Sequence, residues 1–214
     1  MLAGWNADEG KMMVLSAPQK PTVKSFAAET KKRFGDHYEE FVKLFPGRTD
    51  EQALRSAEEL ASADFITYST WKWLNLQVQT GQAPVYGYQF EAGPAVKPGA
   101  MLGSVPANEA GSKHADEIEY VFEPLKWQNV PWTPEDFSLS ETMSTYWTNF
   151  AKNSNPNETG LPDWPRYESS NKYQVMHLSA KASHSMPEMH RERYELLDAE
   201  ATGRIQLPHN PGIE

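Results

Sequence analysis

Between Thr80 and Val85 the spacing of apolar residues changes from a helical to an alternating period, and that change most constrains what this chain can build. Upstream, Phe26, Phe34, Tyr38, Phe41, Val42 and Phe45 recur at intervals of three, four, seven and eight. This predicts an amphipathic helix over 22–45, bent near Gly35 and stopped by Pro46-Gly47. Thr49 or Asp50 can cap a second helix carrying Ala53, Leu54, Ala57, Leu60 and Ala61. A third runs from Ala63 or Asp64 to about Thr80, with Phe65, Ile66, Tyr68, Trp71, Leu74, Leu76 and Val78, and Gly81 closes it. Then, over 84–90, Tyr86, Tyr88 and Phe90 share one face of a strand. Helices feeding such a strand predict an α/β fold.

The rest of the chain fits one unit, 1–214. Residues 1–6 read as the tail of a buried strand and 7–10 as the turn after it. The Gly-, Pro- and Ala-rich stretch 91–113 predicts a long loop, of the kind that often carries function, and it delivers His114. Thr133 caps a predicted helix over 134–152 that buries Met143, Tyr146, Trp147 and Phe150; 153–166 is turn-rich, and 174–178 is a strand. A charged helix from Glu188 to about Ala201 should bury Met189, Tyr194, Leu196 and Leu197, with a loose tail after Gly203. A net charge of −9 without a basic run argues against nucleic acid as a partner. No apolar stretch is long enough to span a bilayer, and no signal pattern opens the chain. Localisation stays open, a secreted or periplasmic parent being compatible with these residues. The absence of cysteine removes disulfides, thiol nucleophiles and cysteine metal sites.

Two residues stand out chemically. His114, in Gly111-Ser112-Lys113-His114, titrates near neutrality when unperturbed, so a positioned ring can take a proton from a hydroxyl and return it to a leaving group. Two other readings apply: an exposed loop histidine, or a metal ligand with Glu117 three residues on, for which no second histidine pair completes a site. Glu9 follows the first strand, at the carboxyl edge where open α/β sheets place reactive groups; alone it also reads as a solvated turn residue. Acid before base, 105 residues apart, is the second half of a Ser, Asp/Glu, His order.

Four blocks resemble the type-B carboxylesterase (cholinesterase-like) family. Gly4-Trp5-Asn6-Ala7-Asp8-Glu9-Gly10 looks like its acid segment, and His114-Ala115-Asp116-Glu117-Ile118-Glu119-Tyr120-Val121-Phe122 like its histidine segment. Trp147-Thr148-Asn149-Phe150-Ala151-Lys152 through Asn155-Pro156-Asn157, and Leu161-Pro162-Asp163-Trp164-Pro165-Arg166-Tyr167, come after these in the family's order. The resemblance implies the carboxy-terminal part of an α/β-hydrolase fold, a few strands with packed helices and the amino-terminal half of the sheet missing. Glu9 would be the triad acid, His114 the general base, and Glu117 and Glu119 supporting acidic residues. No cofactor is implied, and the parent's substrate would be a small carboxylic ester.

The family needs a serine on a Gly-x-Ser-x-Gly elbow before the acid, and no serine of this chain has glycine two before and two after. The chain therefore reads as an esterase portion holding two triad members, complemented by an amino-terminal portion. The alternative is a noncatalytic truncated or docking module. Tyr68, Trp71, Trp73, Tyr86 and Tyr88 are read as core first and acyl-pocket lining second; His177, His184, His190 and His209 stay outside the site.

Overall fold

The computed structural model describes residues 1–93 and 96–203. Strand β1 (Leu2–Asn6) leads through a turn into a short helix α1 (Lys11–Leu15). The predicted bent helix is α2 (Val23–Phe34) and α3 (Tyr38–Leu44), joined by a 3-10 turn. Thr22 opens α2 with a reciprocal cap to Ser25. The bend falls at Gly35, whose φ of 53° is one a side chain resists. Phe34, Phe41 and Phe45 stack along the inner side of this corner, with centroids 4.1 and 4.8 Å apart, so the aromatic period that predicted the helix also packs it.

The next two predicted helices form one continuous rod. Helix α4 (Asp50–Ser62), capped by the Thr49 side chain, passes through a π turn (Ala63–Thr67) directly into α5 (Tyr68–Thr80). The backbone stays right-handed helical at both joints, so the rod runs through without a break. Strand β2 (Tyr86–Phe90) comes next, then the long loop, which contains a hairpin of two short strands, β3 (Met101–Leu102) and β4 (Val105–Pro106). Helix α6 (Asp116–Phe122), helix α7 (Pro134–Asn153), strands β5 (Gln174–Leu178) and β6 (His184–Pro187) and helix α8 (Arg191–Ala201) complete the order.

The main sheet has the order β1-β2-β5-β6, parallel except for the β5–β6 pair. Residues 86, 88 and 90 of β2 face a core built on α6 and α7, with Tyr120, Met143, Tyr146, Trp164, Met176 and Leu178. Trp5 and Val175 face the other way, into a core shared with α2, α3, α5 and α8. Helices therefore cover both faces, as a mainly parallel sheet requires. Further expectations change. Strand β6 is additional; α8 starts only at Arg191; and Met189, ahead of it, is 67% exposed because it lies in the connection. Trp73 points outward from α5, while Trp71, Tyr86 and Tyr88 are core. His209 and the tail after Gly203 lie outside the described residues. Among the described residues, no helix is long and apolar enough to cross a membrane.

Candidate active site

Parallel pairing brings the site together. Asn6, the last residue of β1, stands in register with Phe90, the last of β2, so the turn after one strand and the loop after the other leave the same sheet edge side by side. Glu9 occupies the first segment and His114 ends the second. Glu9 Oε2 lies 2.7 Å from His114 Nδ1, and its Oε1 accepts from the Asn6 backbone N–H at 2.9 Å. The Glu9 side chain is only 4% exposed and the His114 side chain 53%, a buried acid behind a half-open ring. Because a carboxylate accepts only, Nδ1 carries the proton, which leaves Nε2 of the neutral ring as an acceptor.

The segment carrying His114 is latched to the acid turn at several points. The Asp8 N–H donates to the Ser112 carbonyl at 3.0 Å, and Asp8 Oδ2 accepts from the Ser112 N–H at 2.9 Å. The Ser112 hydroxyl, fully buried, donates to the Phe90 carbonyl at 2.9 Å and lies 3.2 Å from that of Ala92. Gly111 makes this approach feasible: its φ is 67°, and a Cβ there would come within 2.1 Å of Asp8 Oδ2. Asn6 completes the latch, its Nδ2 donating to the Lys113 carbonyl at 2.7 Å and to Glu117 Oε2 at 2.6 Å.

Helix α6 then starts after Ala115, a left-handed residue with φ 70°, and Asp116, its first residue, reaches back to accept from the Lys113 N–H at 3.0 Å. Burial pushes the Asp116 carboxyl up from its ordinary value, against the pull of Lys113, whose ammonium pairs with it. Tyr88, beneath the site, is likewise pushed up by burial and by the nearby Glu117 and Glu9, so its hydroxyl stays protonated. From the helical rod, the Phe65 ring stands edge-on to His114, centroids 5.0 Å apart and planes at 73°.

Of the residues singled out in the sequence, Glu9 and His114 are in contact. Glu117 reaches the same cluster through Asn6, and Glu119 instead accepts from Gln128 at 2.9 Å. His114 precedes α6, so it shares no helical face with Glu117; among the described residues, no group of three His, Cys, Asp or Glu is arranged to hold a metal ion. His177 is bonded to Glu91 at 2.5 Å and stacks on His184, in a cavity away from this dyad. Sequence reasoning missed Asn6, Asp8, Ser112 and Phe65. The first three were visible as polar residues inside otherwise constrained segments; Phe65 carried no local signal.

The last two sequence blocks are structural. Asn157 clamps Trp164 from both sides, accepting from its N–H at 2.7 Å and donating to its carbonyl at 2.9 Å, and the Trp164 indole donates to the Gly87 carbonyl at 3.1 Å. They thereby hold β2, whose end launches the His114 loop.

A family model described as "Carboxylesterase family" matches residues 2–197. A medium-chain fatty acyl-CoA hydrolase precursor of Anas platyrhynchos is 40% identical over 110 residues, covering 51% of this chain and 18% of that protein. Cocaine esterase of Homo sapiens is 36% identical over 101 residues, covering 47% and 17%. Carboxylesterase 4A of Bos taurus is 31% identical over 144 residues, covering 67% and 24%. The matched stretch thus spans less than a quarter of each of these relatives.

Proposed function

The chain belongs to the carboxylesterase family, and from that premise we propose that these residues supply the acid and base of a serine hydrolase that cleaves carboxylic esters. The observation that carries the proposal is the 2.7 Å contact between Glu9 Oε2 and His114 Nδ1 at the carboxyl edge of two adjacent parallel strands. Glu9 fixes the tautomer and orientation of the ring and stabilises the imidazolium that forms. His114 Nε2 takes the proton of an attacking serine hydroxyl, then returns it to the leaving alcohol, and repeats the cycle with water on the acyl-enzyme. Asn6 and Glu117 support the dyad by fixing the segment between them; Glu119 contributes through α6.

The serine comes from outside residues 1–214, since none of these carries the Gly-x-Ser-x-Gly pattern. Relatives several times longer are consistent with this, whether the serine belongs to the same polypeptide or to a complementing portion. Substrates are small-molecule carboxylic esters, and no cofactor is required. The test is hydrolysis of 4-nitrophenyl acetate by a polypeptide joining these residues to the serine-bearing part. His114→Ala should lower kcat by roughly 10³-fold or more, as expected for a lost triad base. Undiminished activity in that variant defeats the proposal. The missing elbow also favours a second reading, a noncatalytic module. Under it, the joined polypeptide takes up no fluorophosphonate probe.

A further inference from the structure

Resting on that assignment of His114 as base, we infer that Phe65, presented by the π turn between α4 and α5, is the positioning residue that fixes the plane of the His114 ring. The Glu9 contact holds the imidazole at one atom, Nδ1, and leaves rotation about that contact open on a side chain that is 53% exposed. The Phe65 ring, edge-on at 5.0 Å and 73°, removes that freedom. Core packing does not account for Phe65, which is itself 44% exposed.

The π turn links base and acid. Ser62, the last residue of α4, accepts from the Gly10 N–H at 2.8 Å, directly beside Glu9, and a Cβ at Gly10 would meet the Ser62 backbone at 2.3 Å. Three residues further along the same rod, Phe65 meets His114. Within the π turn Phe65 stands two residues from each of the buried Ala63 and Thr67, so it projects from the side opposite the one they bury. Arg33 braces the turn from outside with two bonds to Asp64, at 2.6 and 2.9 Å. One braced stretch of helix therefore fastens the acid's turn and presses on the base's ring.

The test uses Phe65→Leu and Phe65→Tyr in the full-length protein, with His114→Ala as reference and circular dichroism as the check on folding. A reacting group misplaced by about 1 Å costs on the order of 100-fold, so a loosened ring should cost Phe65→Leu about tenfold in kcat with KM nearly unchanged. Phe65→Tyr should recover most of it. Selective 13C-histidine NMR should show the His114 signals of Phe65→Leu shifted by loss of the ring current and averaged over more than one rotamer. If His114→Ala is inactive while Phe65→Leu keeps wild-type kcat and a single His114 rotamer, the inference is overturned. If His114→Ala stays active, the functional reading fails by itself, and the NMR result alone decides whether Phe65 positions the ring.

Discussion

Asn6 ties the acid to the histidine segment, its backbone N–H holding Glu9 and its side chain holding the Lys113 carbonyl and Glu117, so truncating the side chain should act on the histidine half. Asn6→Ala leaves the Lys113 carbonyl and the Glu117 carboxylate without that donor, and buried groups left unpaired cost about 1–3 kcal/mol. The expected outcome is a lower urea midpoint together with roughly tenfold weaker ester hydrolysis, the latter in proportion to a loosened base. Glycine gives a cleaner comparison. Gly111 and Gly99 both have positive φ, 67° and 76°, but a Cβ at Gly99 meets nothing within 4 Å whereas one at Gly111 strikes Asp8. Both alanine variants bear the backbone strain, about 1 kcal/mol or more, and Gly111→Ala should lose further stability and activity through the Asp8 clash. Thermal melts of the two variants side by side measure that difference. Asp116 gives a pH test. Its folded pKa lies above the ordinary value of 3.8, so the folded chain binds this proton where the unfolded chain does not. The carboxylate therefore weighs against the fold at neutral pH. Stability of the wild type relative to Asp116→Asn should rise as pH falls through the raised value and level off below 3.8. A flat difference across urea titrations from about pH 7 to about pH 3 would contradict the burial argument.

Helix α7 is the longest element and the best specified. Thr133 accepts from the Asp136 N–H while Asp136 accepts from the Thr133 N–H, and Pro134 fills the first helical position, where its missing donor costs nothing. Thr133→Ala should cost about 0.5–2 kcal/mol in a chemical denaturation curve. Such elements could be read from sequence because their signals are local: cap, period and stop all lie within the element. The same holds for α2 with α3, and for β2, whose alternating tyrosines and phenylalanine meet one core. The π turn could not be read, because Ala63 to Thr67 carry no breaker and the buried residues Ser56, Ala63, Thr67, Trp71 and Leu74 keep helical spacing through it. Strand β6 was equally silent, since His184-Ser185-Met186-Pro187 has no alternation and becomes a strand through its pairing with β5. The site divides along the same line. Glu9 and His114 were legible from chain order and residue type, whereas Asn6, Ser112 and Phe65 acquire their roles only from the register of β1 on β2 and from the phase of the rod.

At the scale of the molecule, the sheet separates two aromatic cores, and the family's α/β-hydrolase architecture accounts for helices on both of its faces. The described residues give β1 a strand partner on one side only. An open strand edge is a template for pairing, and a net charge of −9 opposes it through like-charge repulsion. The isolated 214-residue chain should therefore self-associate more as salt screens that repulsion. Sedimentation velocity from about 0.02 to about 0.5 M NaCl, a range over which the screening length shrinks from roughly 20 to roughly 4 Å, is the check. The parallel pairing of residues 2–6 with 86–90 also governs the order of folding. Parallel strands need a crossover, and here the crossover contains α1 to α5, so residues 2–6 wait for the whole helical layer before finding their place on β2. Glu9 meets His114 later still, 105 residues after it leaves the ribosome's active centre. Synthesis that pauses before Phe90 leaves a nascent chain whose helices can form while the site has neither its floor nor its second half.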